Sequence, residues 1–282
     1  MRIFITGAGG KLGSSLSARL SAHHEVVGAD HNMLDITDFQ TTRQQIGDAQ
    51  PDLVLHAAAW TQVDACALDP DQALRVNGLG AQNVALAAAS AGAAVVYISS
   101  NEVFNGKTQH PYHEYASPHP INAYGMSKWV GEQTTMRATN RHYIVRTAWL
   151  FAHGGRNFVH VVLQAAAEGR PLRIVTNEIA NPTYNDDLAD AVAALIETER
   201  YGTYHLVNEG FCSRLTLARY ILERAGKNMD ISGITSHQWA RASHPPEFTP
   251  LANLAGALVG IRLRAWQSAV DAFLEREGFP TA

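Results

Sequence analysis

The sequence predicts an α/β protein built on a parallel β-sheet, with a smaller region added at the C-terminal end. Three observations lead to this class. Short β-branched segments alternate with alanine-rich helical segments in the first half of the chain, as a parallel sheet with crossover helices requires. A glycine-rich turn directly follows the first of these segments. The 282 residues, 46% of them hydrophobic, are enough to bury a sizeable core.

Five short apolar segments are the strand candidates, and helical segments lie between them. We expect strands at 3–5, 26–27, 53–55, 95–98 and 143–145, and connecting helices at 11–20, 69–91 and 123–136. The second helix has Asp69 as a plausible N-cap and Pro70 in its first turn. Together these elements indicate a doubly wound parallel sheet of the Rossmann type.

The second half of the chain alternates less regularly. Helices are expected near 157–168, 187–198, 215–225 and 265–275, and a proline-rich loop at 244–250 interrupts them. No flexible linker is visible, so we expect this part to pack on the sheet. A cleft between the two parts is the natural place for a substrate.

Charge and hydropathy exclude two classes of partner. The net charge of −4 and the pI of about 6.3 give no electrostatic reason to expect nucleic acid. The apolar segment at the N-terminus is too short for a signal peptide, and the stretch at 84–98 is too short to span a membrane. We expect a cytoplasmic protein without a membrane or nucleic-acid partner.

Metal-ligating residue types show no convincing pattern. Cys66 and Cys212 lie far apart without metal-ligand spacing, which predicts neither a zinc site nor a disulfide framework and fits a reducing compartment. His110, His113 and Glu114 are close together, but the proline-containing loop around them favours a solvated cluster. No metal is therefore predicted.

The glycine-rich turn at 6–13 is the strongest motif, with glycines at 7, 10 and 13 leading into an amphipathic helix. Such glycines allow a tight turn and close approach of the backbone to a pyrophosphate, and the helix N-terminus supplies N–H donors. A glycine-rich turn can also be purely structural, but its place after the first strand favours a dinucleotide. The residues expected to bind it are Gly7, Gly9, Gly10, Lys11, Leu12 and Gly13.

The next two strands add cofactor contacts. Asp30 stands where such folds place a carboxylate against the adenosine ribose, which favours NAD(H) over NADP(H). An ordinary solvated aspartate is the alternative, and the adjacent His31 could tolerate a phosphate, so NADP(H) stays open. The residues expected near the adenine or the cofactor backbone are Asp35, Ile36, Ala57, Ala58 and Ala59. We therefore predict a dinucleotide-binding domain at 1–152, rejoined by part of 176–208, and a mainly substrate-binding region at 153–282.

Tyr124 and Lys128 stand four residues apart in a predicted helix and so share one face. A free tyrosine, with a pKa of about 10, exchanges protons poorly at neutral pH, and a fixed cation stabilises its phenolate. Such a pair is common on helix surfaces, but here it follows a strand that ends at Ser100, and ligands bind at strand carboxyl ends. Ser100, Tyr124 and Lys128 are the predicted catalytic residues, and the last two are also expected to contact the dinucleotide.

These motifs resemble the extended short-chain dehydrogenase/reductase family over the N-terminal half. Within that family the chain is most similar to the dTDP-4-dehydrorhamnose reductases over nearly its full length. The stretches that carry this narrower resemblance are 51–64, 123–132, 146–149, 157–158 and 181–184.

The resemblance implies an enzyme that reduces the 4-keto group of a nucleotide-linked deoxysugar and that could act as a homodimer. Tyr124 would protonate the carbonyl oxygen, Lys128 would hold the nicotinamide ribose and tune Tyr124, and Ser100 would bind the developing oxyanion. Trp149 lines the sugar pocket or packs in the core. The implied substrate-binding residues are Thr61, Val63, Glu102, Trp149 and Asn157.

Glu102 departs from the family pattern, which usually has a tyrosine in the segment after the fourth strand. An acidic residue here resembles nucleotide-sugar 4,6-dehydratases, so a dehydratase or epimerase-type enzyme is one alternative, although Asn101 cannot donate a proton as a carboxylic acid would. A non-catalytic regulatory subunit that binds dinucleotide is another. Asn177-Glu178 and His244-Pro245 also differ from the family's Asp-Gln and Arg-Pro, which leaves the sugar nucleotide open.

Overall fold

A computed structural model describes residues 1–155 and 157–279. The strands in chain order are β1 (Arg2–Thr6), β2 (Glu25–Ala29), β3 (Leu53–His56), β4 (Ala94–Ser100), β5 (His142–Thr147), β6 (Leu150–Phe151), β7 (Leu172–Val175), β8 (Ile179–Ala180), β9 (Thr183–Tyr184), β10 (Gly202–His205), β11 (Cys212–Ser213) and β12 (Ile231–Ile234). The helices are α1 (Lys11–Leu20), α2 (Phe39–Ala49), α3 (Val63–Leu68), α4 (Pro70–Ala73), α5 (Gly80–Ser90), α6 (Ala123–Ala138), α7 (Phe158–Ala167), α8 (Asn185–Ile196), α9 (Arg214–Arg224), α10 (Ala255–Leu258) and α11 (Trp266–Arg276).

A six-stranded sheet with the order β10-β5-β4-β3-β1-β2 forms the centre, and all neighbouring strands are parallel. The strand order reverses between β1 and β3, so connecting helices cover both faces of the sheet. In open α/β sheets this reversal point is where ligands bind, beyond the carboxyl ends of the strands. The predicted doubly wound parallel sheet is confirmed.

The strand β4 lies in the middle of the sheet. All seven of its residues are buried, because a central strand of a parallel sheet is covered by helices on both faces. Its last residues, Ser99 and Ser100, are polar and end at the ligand-binding edge. The helix that follows it in the chain, α6, begins after Asn122, whose Oδ1 accepts a hydrogen bond of 2.7 Å from the backbone N–H of Gly125.

The helix predicted at 69–91 forms, with a π-helical turn inside it. Asp69 does cap it, accepting from the backbone N–H of Gln72 at 3.0 Å, and Pro70 is its first residue. Between α4 and α5, however, residues Leu74–Leu79 form a π-helical turn. Such a turn widens the helix by one residue and is frequent at functional sites. The prediction of a helical segment here agrees with the structure, and the π-helical turn inside it was not anticipated.

The C-terminal part has its own apolar core. Helices α7, α9 and α11 pack around Val162, Ile221 and Phe273. Short strand pairs connect them: β6 with β9, β7 with β12, and β8 with β11. The chain returns to the sheet between 185 and 205, where α8 packs on α1 and β10 pairs with β5. The domain boundaries given above stay a prediction.

Glu114, considered above as part of a histidine cluster, is buried and instead serves as a structural anchor. Its carboxylate accepts hydrogen bonds from the backbone N–H groups of His205, Leu254 and Ala255, at 3.3, 3.0 and 2.9 Å. It thereby joins the loop after β4 to the C-terminal part of the chain.

Among the described residues, no helix is both long and apolar enough to cross a membrane.

Candidate active site

Two cavities lie side by side at the carboxyl ends of the central strands. The first, of about 830 Å³, runs between the glycine-rich turn and the ends of β2 and β3. The second, of about 750 Å³, extends from the glycine-rich turn to α6, α7 and α9. Gly10, Ala57 and Ala59 line both. The two cavities therefore share a wall, and they are called the groove together below; each has a volume typical of small-molecule sites.

The glycine-rich turn has the close contacts that a dinucleotide site requires. A Cβ atom on Gly7, whose φ is +72°, would lie 2.7 Å from the backbone of Ala58. A Cβ on Gly13 would lie 2.1 Å from the carbonyl oxygen of Gly7. Only glycine fits at both positions. The turn is thus packed tightly against β3 while its outer face remains open to the groove, which suits a bound pyrophosphate.

Asp30 and Asp35 both line the first cavity and both organise turns. Asp30 Oδ1 accepts from the backbone N–H of Asn32 at 2.8 Å and of Met33 at 3.2 Å. Asp35 Oδ1 accepts from the backbone N–H and the hydroxyl of Thr37, at 2.9 and 2.8 Å. The Asp30 side chain lies directly against Gly9, since a Cβ on that glycine would be 3.7 Å from Asp30 Oδ2. Its second oxygen is therefore on the glycine-turn side of the cavity.

Ser100, Tyr124 and Lys128 meet in the second cavity. Lys128 is only 3% exposed, and its Nζ lies 4.2 Å from the ring centroid of Tyr97. Burial lowers the pKa of Lys128 to about 7, and the negative charge of Glu132 raises it. Burial and the charge of Glu102 raise the pKa of Tyr124, while its hydrogen bond with Ser100 lowers it. Tyr124 is therefore a protonated phenol, which is the form that a proton donor needs.

Glu102 lies in the same cavity, on the turn after β4. Its Oε2 accepts a 2.7 Å hydrogen bond from the amide of Asn122, the residue that caps α6. Burial raises the pKa of Glu102, whereas Asn122 and the arginines 241 and 214 lower it. Its backbone also touches α6, because a Cβ on Gly125 would be 2.0 Å from the Glu102 carbonyl oxygen. The turn that carries Glu102 therefore fixes the first turn of the helix that carries Tyr124.

Trp149 forms one wall of the second cavity in an unusual backbone conformation. Its φ is +41°, which strains a non-glycine residue. The guanidinium of Arg214, the first residue of α9, lies 3.5 Å from the Trp149 ring centroid and 5.1 Å from that of Phe158. The interpretation of Trp149 as a pocket residue agrees with this placement, although the ring also packs beside the two apolar clusters of the C-terminal part.

The other implied substrate residues, Thr61, Val63 and Asn157, also line this cavity. The amide of Asn157 is already engaged, however. It accepts from the backbone N–H of His160 at 3.2 Å as the N-cap of α7 and donates to the carbonyl of Ala152 at 2.6 Å. Asn157 can shape the wall through these contacts. Each predicted site residue thus lies along the groove, although several make structural contacts as well.

Two further residues were not anticipated from the sequence. Arg214 contributes a cation to the second cavity, and its place just after Ser213, the N-cap of α9, was the available signal. Asn77 lies in the π-helical turn, where its side chain bonds to the backbone of Trp60 at 2.8 and 3.0 Å and to the hydroxyl of Ser127 at 3.0 Å. It ties the segment before Thr61 to α6.

The match to known proteins agrees with this geometry. Residues 1–278 match the model of the RmlD substrate binding domain. The chain belongs to the RmlD substrate binding domain family. The predicted resemblance to dTDP-4-dehydrorhamnose reductases is confirmed at the level of the family.

Members of this family that are similar to the chain come from several bacteria. The spore coat polysaccharide biosynthesis protein SpsK of Bacillus subtilis is 38% identical over 97% of each chain. The dTDP-4-dehydrorhamnose reductase of Mycolicibacterium smegmatis is 34% identical over 96% of this chain and 84% of its own. The crystal structure of the dTDP-4-dehydrorhamnose reductase of Bacillus anthracis, in complex with NADP, is 34% identical, covers 98% of this chain and 99% of its own, and has a TM-score of 0.95.

Proposed function

We propose that the protein is an NAD(P)H-dependent reductase of the 4-keto group of a dTDP-linked deoxysugar. The observation that carries this proposal is that the two cavities of the groove adjoin and share a wall. One end has the tight glycine turn that suits a dinucleotide, and the other brings together a buried phenol, a buried lysine and a serine hydroxyl. Membership of the RmlD substrate binding domain family supports the choice of substrate class.

The reduced dinucleotide would supply the hydride. Tyr124 protonates the C4 oxygen of the sugar, and Lys128 stabilises the phenolate that this step leaves. The Ser100 hydroxyl, whose oxygen accepts from the backbone N–H of Glu102 at 3.2 Å, donates a hydrogen bond to the C4 oxygen as negative charge develops on it. The enclosed position of these groups strengthens their charge interactions relative to those in water.

The diphosphate of the substrate is negatively charged, so the second cavity needs a cation to bind it. Arg214 lines this cavity and lies over the Trp149 ring. A guanidinium can bind phosphate oxygens with two parallel hydrogen bonds. The neighbouring carboxylate of Glu178 is 3.9 Å from Arg214 and 3.6 Å from Arg241. We propose that Arg214 binds the diphosphate, with Thr61, Val63 and Trp149 around the sugar.

For the cofactor, we propose that NADH is preferred and NADPH is accepted. The Asp30 carboxylate beside the glycine turn suits ribose hydroxyls and repels a 2′-phosphate. His31 lines the same cavity and offers a group that could face a phosphate, and the Bacillus anthracis relative contains NADP. The cytoplasmic location and the homodimer stay predictions.

An activity screen tests this function. Purified protein is incubated with NADH or NADPH and a series of 4-keto nucleotide sugars, and absorbance and product mass are followed. We expect stoichiometric oxidation of the dinucleotide and a product two hydrogens heavier with dTDP-4-keto-6-deoxy sugars. Absence of oxidation with every 4-keto sugar would contradict the proposal and favour a regulatory subunit without turnover.

A further inference from the structure

Glu132 is a fully buried carboxylate on α6, one turn after Lys128. Its Oε1 accepts from the Ser99 hydroxyl at 2.6 Å and from Arg146 Nε at 2.8 Å. Its Oε2 accepts from Arg146 Nη2 at 2.7 Å. The Arg146–Glu132 pair is therefore bidentate, and both of its side chains are nearly excluded from solvent.

A buried ion pair of this kind is poor evidence for stability alone. Removing two charges from water costs about as much as their attraction returns, and apolar side chains of similar size are often equally stable. The position of this pair indicates a second role. Ser99 directly precedes Ser100 on β4, and Glu132 lies at i+4 from Lys128 on α6. The pair thus joins the two elements that carry the catalytic groups.

Lys128 needs a counter-charge, because burial lowers its pKa to about 7. Glu132 raises that pKa, and residues at i and i+4 of a helix are neighbours. Arg146 is a cation and offsets part of the Glu132 charge, whereas the neighbouring histidines and Tyr97 are neutral. Burial lowers the pKa of His56, which faces Lys128, and of His205, which is 3.4 Å from Arg146, to about 3 in each case. Burial raises the pKa of Tyr97, beneath Lys128, well above 10.

We propose that Glu132 is a positioning residue, held by Arg146 and Ser99, that keeps the Lys128 ammonium charged beside Tyr124 without touching substrate or dinucleotide. This inference deepens the proposed reductase function. The expected effect of Glu132 on the reaction rate rests on that function. Its electrostatic part stands independently, because the state of Lys128 can be measured without turnover.

The direct test is titration of Lys128 by NMR. The chain has four lysines, so a sample labelled with ¹³C at the lysine ε-carbon gives few signals, and Lys128→Met identifies the relevant one. We expect the Lys128 signal to titrate near pH 7 in the unmodified protein. In Glu132→Gln, which keeps the shape but removes the charge, the midpoint should fall by roughly one unit or more.

Ser99→Ala is the matched control, since it removes one hydrogen bond from Glu132 and leaves the charge. We expect it to lower Tm while leaving the Lys128 midpoint unchanged. If Glu132→Gln does not fold, Glu132→Asp is tested in its place. Aspartate keeps the charge with poorer hydrogen-bond geometry, so the midpoint of the Lys128 titration should stay unchanged. An unchanged midpoint in folded Glu132→Gln, or a lowered one in Glu132→Asp, would overturn the proposal.

Activity gives the second readout. The decline of kcat/KM with rising pH should move to lower pH in Glu132→Gln, with a loss of roughly fivefold or more at pH 7 and recovery at lower pH. A loss that is equal at every pH would show a merely structural role and contradict the inference. If the Lys128 midpoint moves but no keto sugar is reduced by the unmodified protein, the proposed function fails while the charge coupling stands.

Discussion

The Arg214 guanidinium stacks on the indole ring of Trp149, with 3.5 Å between the guanidinium carbon and the ring centroid. Burial lowers the pKa of Arg214 to about 10, which leaves it charged at neutral pH. This contact holds a planar cation at the wall of the second cavity. Such a fixed, flat cation is suited to a diphosphate.

We therefore expect that replacing Arg214 weakens substrate binding more than it slows the chemical step. Hydrogen bonds to charged groups contribute about 1.5–3 kcal/mol, so we expect Arg214→Met to raise KM roughly 10- to 100-fold, with a smaller change in kcat. Steady-state kinetics with the nucleotide sugar measures this. Arg214→Lys keeps the charge but loses the paired hydrogen bonds. Its KM should lie between that of the unmodified enzyme and that of Arg214→Met. An unchanged KM in Arg214→Met would contradict the assignment.

Tyr124→Phe keeps the aromatic ring and removes the proton donor. We expect kcat to fall by roughly 10²–10⁴-fold while dinucleotide affinity changes little. Single-turnover rates and NADH fluorescence titration measure the two quantities separately. Turnover near the unmodified rate would show that another group protonates the sugar oxygen.

Asp30 sets the predicted cofactor preference. We expect the unmodified enzyme to have a higher kcat/KM with NADH than with NADPH, because the carboxylate accepts from ribose hydroxyls and repels a 2′-phosphate. Asp30→Ala should narrow this difference, mainly through the KM for NADPH. Asp35→Ala is the matched control at the same cavity and should leave the ratio nearly unchanged. A preference for NADPH in the unmodified enzyme would show that Asp30 does not act on the ribose.

Glu102 distinguishes substrate fit from acid–base chemistry. In a reductase, Glu102→Gln keeps the shape, an acceptor oxygen and the contact with Asn122, so we expect KM to rise while much of kcat remains. In a dehydratase the same change would remove the base and abolish turnover. Kinetics of Glu102→Gln therefore separate the two classes. A fall in kcat of roughly 10²-fold or more with KM unchanged would argue against the reductase.

Much of this site follows from local sequence, because its signals are short-range. The glycine turn must leave room against Ala58 and within its own loop, and the Tyr124/Lys128 spacing places both side chains on one helical face. The ends of β1, β3 and β4 then bring these motifs together, as the parallel topology dictates. The position of these residues along the groove was predictable for that reason, while their catalytic and cofactor roles stay predictions.

Other features depend on contacts between distant segments. Arg214 enters the site only because α9 packs beside Trp149. The strand β10 is short and carries the polar residues Thr203 and His205, so its pairing with β5 has no clear local signal. The helix α2 was missed for a different reason. Its apolar face is small, although the Asp38 N-cap, which bonds to Gln40 and Thr41, was a usable signal.

His205 makes stability sensitive to acid. In the folded protein, burial and, to a smaller extent, the positive charge of Arg146 lower the pKa of His205 to about 3. The pKa of a histidine in the unfolded chain is 6.5. As pH falls below about 6.5, the unfolded chain takes up a proton that the folded chain refuses. The free energy of unfolding should therefore fall by up to ~1.4 kcal/mol per pH unit for this group.

Urea denaturation of the His205→Gln variant at pH 7 and pH 5 tests this effect. The amide can replace the ring's donor and acceptor, and we expect a weaker pH dependence than in the unmodified protein. His244→Gln, at an exposed histidine, is the control and should leave the pH dependence unchanged. Equal pH dependence in all three proteins would contradict the role of His205.

Hydride transfer to the sugar C4 is the central claim, and isotope transfer tests it most directly. The enzyme is incubated with a dTDP-4-keto-6-deoxy sugar and reduced dinucleotide carrying deuterium at nicotinamide C4 on one face or the other, and the product is examined by mass spectrometry and NMR. We predict that deuterium from one face appears at C4 of the sugar. A product without deuterium from either face, or loss of water from a dTDP-hexose without added reductant, would contradict the account.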